Sequence, residues 1–426
     1  MQPKEEARVL VFPYGSEAGL EVFRSLARDT HIRLYGASGV SSNHGRRIYA
    51  NYTEGLPCVT DPGFVDAMNS LLRESRIDLL VPTMDSLHLE FAACREQLAC
   101  KVVGSPPETC RTCCSRRATY ETLSDALRVP ALYDDLDRIP KWPVSLTPDC
   151  SYDSRGVITA RSREEARFFL GTNDGLLATE YLPGRQYTVD CFTDRHGVLL
   201  FAGPRECLRI RNGNEVGTRP VKGTVFQELA AAINAGLTFR GAWFFQLKES
   251  DNGMLTLLEV APRAAGAMAL YRNLGVNLPL LSVLDAMDMD VSIQVNDFEI
   301  EIDRVASRFR TNLSYNHVYI DLDDCVICDG LVNTEAAAFL YQCVNRGIVV
   351  HLLTRHAGSV EETLKQARLS CLFDEIIHLR SGELKSDAVK HADAIFIDDS
   401  FGERRDVREK KGIPVFAPDA IECLME

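Results

Sequence analysis

The stretch YIDLDDCVICDG, Tyr319 to Gly330, decides how the C-terminal part of this chain is read. An apolar strand runs straight into Asp321, Asp323 and Asp324. Carboxylates this close repel, and each prefers its neutral acid unless a cation or hydrogen bonds hold it ionised. Residues two apart in a strand share a face, so Asp321 and Asp323 point the same way and Asp324 faces elsewhere, where water could solvate it. The crowding asks for a positive partner.

The rest of the C-terminal sequence supplies similar strand ends. From His317 onward, HVYID, IVVHLLT, AIFIDD and PVF read as strands alternating with helical stretches, the pattern of a parallel sheet covered by helices. The second strand ends in Thr354, Lys385 lies in the helical stretch GELKSDAVK, and AIFI ends in Asp398 and Asp399. Open parallel sheets bind ligands beyond the carboxyl ends of their strands. Carboxylates from two strands suit Mg²⁺. One Asp can then attack phosphorus to form an aspartyl-phosphate, while a second protonates the leaving oxygen and activates water. A threonine and a lysine would stabilise charge on the transferring group.

In order and spacing these residues resemble the haloacid dehalogenase superfamily, over residues 317–426. The resemblance implies Asp321 as nucleophile, Asp323 as acid/base, Thr354 and Lys385 as phosphate ligands, and Asp398 with Asp399 as support for a metal also held by Asp321 and Asp323. Lys390 is the rival for the lysine role. Cys325 stands where that family often has Thr. An acid at Asp323 favours phosphatase or phosphotransferase chemistry over dehalogenation. A solvated acidic edge on an inactive domain is the bland alternative. Only 32 residues separate Asp321 from Thr354, and 30 separate Thr354 from Lys385, which leaves no room for an inserted cap domain. An uncapped site needs cover from another domain or subunit, or a large or tethered substrate; a homodimer is one way to provide cover.

Upstream, RVLVF, HIRLY, DLLVP and CKVVG read as strands, with helical spacing over 17–29, 63–75 and 86–98. The glycine-bearing turn PYGSEAG lacks the full dinucleotide fingerprint. SPPE at 105–108 marks a break, and helices are expected around 115–128 and 223–236. Between them lie hairpin-like strands in EYLPGRQYTVDCF, GVLLFAG and AWFFQLKESDNGMLTLLEV. NDFEIEID followed by SRFRTNLSYN looks like a transition.

Residues 106–300 resemble the ATP-grasp superfamily through SRRATYETLSDALRVPAL, WPVSLTPDCSYDSRGVITARSREEA, ATEYLPGRQYTVDCF, AWFFQLKESDNGMLTLLEVAPR and LGVNLPLLSVL. The first 105 residues match its preceding Rossmann-like domain. The resemblance implies ATP clamped between two sheets and a carboxylate activated as an acyl-phosphate for attack by an amine. It places Ser154 and Gly156 in a phosphate-covering loop, Glu180 through Leu182 at the adenine hinge, and Gln246 with Glu259 as Mg²⁺ ligands. Arg205 and Arg263 would hold phosphate or a substrate carboxylate, although Arg205 has acids nearby with which to pair. Arg116 takes the first phosphate-binding position, with Arg117 the competing choice. Three positions depart from the family. Thr147 stands in place of the usual Lys before Pro148, Gln186 in place of a ribose-binding Glu, and Ala261 in place of a metal-binding Asn. Losing a cation and a metal ligand removes several kcal/mol of transition-state stabilisation. Two readings follow, an active ligase or a clamp that binds nucleotide or metabolite without transfer.

Over 426 residues the expected class is multidomain, α/β and α+β: a Rossmann-like domain over 1–105, an ATP-grasp two-sheet clamp over 106–312, and a Rossmann-like parallel sheet of haloacid dehalogenase type without a cap over 313–426. Apolar and charged fractions of 46% and 25% are those of a globular protein. A formal charge of −13 argues against nucleic acid as a partner. No run approaches the roughly 20 apolar residues needed to span a bilayer, and the start does not read as a signal peptide. A cytoplasmic enzyme is expected, acting on small carboxylate, amine and phosphoester substrates with ATP and Mg²⁺. The 14 cysteines read as reduced thiols. Cys110, Cys113 and Cys114 lack a second ligand pair at zinc-site spacing and read as partly buried thiols.

Overall fold

The computed structural model describes residues 6–41, 43–150, 156–211, 214–303 and 308–425. Its first sheet is parallel, in the order β3-β2-β1-β4-β5, from β1 (Ala7–Phe12), β2 (Ile32–Ser38), β3 (Asn51–Glu54), β4 (Leu79–Pro82) and β5 (Lys101–Val102). The near-continuous apolar run of β1 is explained by helices on both faces. Val9 and Val11 pack with Val22 and Leu26 on one side. Leu10 and Phe12 meet Phe64, Met68 and Phe91 on the other.

Two antiparallel sheets follow. Strands β6 (Val144–Pro148), β7 (Ile158–Ala160) and β8 (Leu176–Glu180) form a small one, with β6 central. The larger has seven strands: β9 (Gln186–Thr193), β10 (Leu199–Arg211), β11 (Asn214–Pro220), β12 (Gly241–Glu249), β13 (Leu255–Ala261), β14 (Ile300–Asp303) and β15 (Arg308–Thr311), in the order β13-β12-β9-β10-β11-β14-β15. The strand period of two sorts its side chains. Tyr187, Val189, Cys191, Trp243, Phe245 and Leu247 pack against Phe226, Ala230 and Ile233 of the helix Thr224–Gly236. Gln186, Thr188, Asp190 and Gln246 alternate with them and take the opposite face. The segment that looked like a transition between domains supplies β14 and β15, which extend this sheet through pairing with β11.

The last sheet is again parallel. Its strands are β16 (His317–Ile320), β19 (Val349–Thr354), β20 (Glu375–His378), β21 (Ala394–Ile397) and β22 (Val415–Phe416), with a hairpin of β17 (Ile327–Cys328) and β18 (Leu331–Val332) between β16 and β19. The order is β20-β19-β16-β21-β22. Val318, Ile320, Leu352 and Ile397 share one core with Phe339 and Leu340 of the helix Thr334–Arg346. That core continues into Phe192, Leu270, Leu274 and Ile302 of the central region, so the two are packed together rather than tethered. Arg272, only 2% exposed, joins three parts of the chain. It donates to Ser25 Oγ at 3.2 Å, lies 3.4 Å from Glu21, and pairs with Glu422.

Among the described residues no helix is long and apolar enough to cross a membrane. All fourteen cysteines are free thiols, and burial raises those of Cys110 and Cys113.

Candidate functional site

The last sheet reverses its strand order at β16, which lies between β19 and β21, and this is where open α/β sheets bind ligands. Asp321 follows β16, Thr354 ends β19, and Asp398 and Asp399 follow β21. Lys385, 2% exposed at the start of the short helix Lys385–Ala388, donates to Asp321 Oδ2 at 2.8 Å and to Asp398 Oδ2 at 2.7 Å. The backbone N–H of Leu322 holds Asp321 Oδ1 at 2.8 Å, and that of Ser400 holds Asp398 Oδ1 at 2.9 Å. Thr354 is buried, and its Oγ1 accepts from the N–H of His356 at 3.1 Å. Lys390 lies elsewhere, its backbone N–H on the Tyr319 hydroxyl at 3.2 Å.

Three carboxylates here face one ammonium. Burial raises the Asp398 carboxyl to about 7 against the pull of Lys385. Asp399 is raised by burial and by Asp321. Lys385 is raised as well, because Asp398 and Asp321 outweigh the effect of its burial. Burial, with Asp321 adding to it, disfavours the ionised form of both acids, a penalty that a bound divalent cation would offset. One ligand atom each from Asp321, Cys325 and Asp399 lies within 4.8 Å of the others. The carboxylates fit Mg²⁺, while the buried Cys325 thiol is a poor ligand for so hard an ion.

Asp323 is exposed and sits 2.9 Å from His356 Nδ1, whose Nε2 meets Thr363 Oγ1 at 2.9 Å. Sequence reading missed His356; its position two residues past the strand-ending threonine was the available signal. The hairpin was also missed. Asp329 and Gly330 both have positive φ, 50° and 74°, and form the two-residue turn for which Asp-Gly is the strongest signature. Only this hairpin and one helix lie between β16 and β19, and Arg28 of the first region comes within 3.7 Å of Glu335 at that helix's start.

The second site lies on the polar face of the seven-stranded sheet. Gln246 and Glu259 stand directly opposite each other across β12 and β13. Arg116 donates to Glu259 Oε2 at 2.8 Å and to the Pro148 carbonyl, so it bridges the two central sheets beside Thr147. Arg117 instead pairs with Asp134 at 2.7 Å. The Thr147 hydroxyl is buried and has no partner among the described residues. Gly156 has open space where a Cβ would stand, and Ser154 lies outside the described residues. Glu180 closes β8, accepts from Arg128 at 2.6 Å, and precedes the buried Leu182 in the link to β9.

Glu215 on β11, unassigned from sequence, is central to this face. Its Oε1 accepts from Thr188 Oγ1 at 2.6 Å and from the amides of Gln186 and Gln246, each at 3.4 Å. Its other oxygen pairs with Arg205, whose Nε donates to Asp190 Oδ2 at 2.7 Å. Arg205 is 1% exposed, so two acids occupy its guanidinium and none of it faces solvent. Gln246 and Glu259 fit a Mg²⁺ site, with Glu215 adjoining.

Arg263 is likewise engaged. It makes a two-pronged bond to Asp85 of the first region at 2.5 and 2.6 Å, with its guanidinium 5.1 Å from the Phe244 ring centre. It lines a cavity between the first sheet and the seven-stranded sheet together with Thr83, His88, Gly104 and Ser282. His88 Nε2 is buried there with no partner among the described residues. Burial lowers His88 to about 4, with Asp85 opposing and Arg263 adding to the shift. The unfolded chain therefore takes up this proton first as pH falls. The neutral ring's contribution is complete above about 6.5 and is lost progressively between 6.5 and 4, on the order of 3 kcal/mol. His88→Asn is expected to flatten the acid limb of a melting-temperature profile over that window. An unchanged slope would remove His88 as its origin.

Residues 172–306 match the family described as ATP-grasp in the biosynthetic pathway with Ter operon. No curated protein matches the chain. Among solved structures, the biotin carboxylase domain dimer of Hydrogenobacter thermophilus 2-oxoglutarate carboxylase, with MgADP, ADP and bicarbonate, superposes with TM-score 0.59 at 14% identity, over 69% of this chain and 73% of that one. The L-amino acid ligase of Bacillus licheniformis gives 0.56 at 15% identity, over 70% and 80%. N5-carboxyaminoimidazole synthetase of Staphylococcus aureus with ADP gives 0.57 at 14%, over 70% and 82%. At such identities the likeness is one of fold. The chain carries the ATP-grasp fold, and its family match spans the strands that bear the Gln246–Glu259–Glu215 cluster.

Proposed function

We propose that the chain is a two-site enzyme, an ATP-dependent carboxylate–amine ligase joined to a Mg²⁺-dependent phosphatase or phosphotransferase of haloacid dehalogenase type. The reading divides the chain at about residues 105 and 312. The observation that carries the second activity is the convergence of Asp321, Lys385 and Asp398 at one sheet edge, with Thr354 ending the adjacent strand. The ATP-grasp fold and its family match support the first.

In the clamp, ATP would lie between the two central sheets, Gln246 and Glu259 would hold Mg²⁺, and Arg116 would turn from Glu259 toward phosphate. Bound Mg²⁺ shields phosphate charge in both sites. A substrate carboxylate oxygen attacks the γ-phosphorus and ADP leaves. The amine then attacks the acyl carbon, phosphate leaves and the nitrogen loses a proton. In the second site an Asp321 oxygen attacks the phosphoester phosphorus while Asp323 gives a proton to the leaving oxygen. Asp323, steadied by His356, takes a proton from the water that opens the aspartyl-phosphate. Lys385 and Thr354 offset charge on the phosphoryl oxygens.

Thr147, Ala261 and the Arg116–Glu259 pair favour a second reading, a clamp that binds nucleotide without transfer. Mg-ATP with a pool of amino acids and small acids separates the two. Amine-dependent ADP release is expected of the ligase, whereas nucleotide binding with no ADP above the amine-free rate would overturn it.

A further inference from the structure

At the opposite edge of the last sheet from the acidic site, His317, His351 and His391 each bring one ring nitrogen within 4.8 Å of the other two. We propose that these three histidines form a second metal site, selective for a borderline divalent ion such as Zn²⁺ and separate from the Mg²⁺ chemistry at Asp321.

The donor set is three imidazoles and no carboxylate, which suits Zn²⁺ and its neighbours and disfavours Mg²⁺. His317 Nδ1 and His351 Nε2 are already 3.0 Å apart, near the roughly 3.3 Å that two nitrogens span on one tetrahedral zinc ion. The supporting contacts are in place. Glu375 Oε2 sits 2.7 Å from His351 Nδ1, the carboxylate–imidazole arrangement that fixes tautomer and basicity in zinc sites. The Tyr319 hydroxyl is 2.7 Å from His391 Nδ1. His317 and His391 stack face to face at 3.5 Å with their planes 6° apart, so one of these two rings must turn before both nitrogens face one ion. His351 is buried and the other two are half-buried, which leaves solvent access for a fourth ligand.

The placement suggests what the ion does. His317 begins β16, His351 lies within β19, and His391 precedes β21. These three strands deliver Asp321, Thr354 and Asp398 at their far ends, about 13 Å away along β16. One ion would tie together the strands that set the spacing of the acidic site without entering its chemistry.

The test uses the full chain, stripped with a chelator, held in excess Mg²⁺ and titrated with Co²⁺. One equivalent is expected to give the visible absorption of tetrahedral Co²⁺, displaced by Zn²⁺. The band should vanish in His317→Gln and in His391→Gln, made separately and checked by circular dichroism, and persist in Asp321→Asn. Glu375 is exposed, so Glu375→Gln keeps the fold and should weaken binding about 10- to 100-fold. No visible band in the parent protein, a band indifferent to both histidine changes, or one lost in Asp321→Asn would overturn the proposal.

Discussion

Asp321→Asn is expected to lower Mg²⁺-dependent hydrolysis of an aryl phosphate by at least about a thousand-fold, because the amide that replaces the carboxylate is a far poorer nucleophile toward phosphorus. The melting temperature should hardly move. Asparagine keeps the side chain's shape and an oxygen for Lys385, and it removes one of three crowded carboxylates. Asp398 and Asp399 should shift back toward ordinary carboxylate values as that repulsion is relieved. This separates a nucleophile from a structural acid, since loss of a structural acid moves stability and activity together. A variant that hydrolyses the ester as fast as the parent would end the assignment. Residual turnover needing higher Mg²⁺ would instead mark Asp321 as a metal ligand only.

Arg205→Met carries the largest expected effect on stability. The guanidinium lies in the sheet face with Asp190 and Glu215 on either side, and Asp190 is fully buried. Burial already raises Asp190 against the pull of Arg205. Removing the cation leaves the buried Asp190 without its counter-charge and takes one partner from the half-buried Glu215, which costs about 3–5 kcal/mol. The transition of the central region should fall by about 10 °C. Neutralising the acids as well, with Asp190→Asn and Glu215→Gln, should recover most of that loss, because the penalty lies in unpaired charge rather than lost packing. Thermal unfolding of the single and triple variants is the measurement. A shift under about 2 °C for Arg205→Met would show that the cation does not hold this face together.

The sequence showed which strands end in acids because that information is local. An apolar run, a period of two and a terminal Asp or Thr are all read within a few residues, so Asp321, Thr354 and Asp398 could be assigned to one sheet edge before any tertiary structure was known. Short edge strands carry little pattern, and β3, β15 and β20 went unread for that reason. Glu215 also escaped, because its importance lies in neighbours on β9, β10 and β12.

Composition, periodicity and spacing alone determined that two parallel sheets flank an antiparallel middle, and that the interval between Asp321 and Lys385 is too short to hold a cap. Tertiary structure decided which charges are already taken. Arg263 and Asp85, 178 residues apart, form a two-pronged pair across the first and central regions. His317, His351 and His391 meet although 34 and 40 positions separate them. Pairing energies depend on distance in space and on the surrounding dielectric, and neither is encoded at the single positions where these side chains stand.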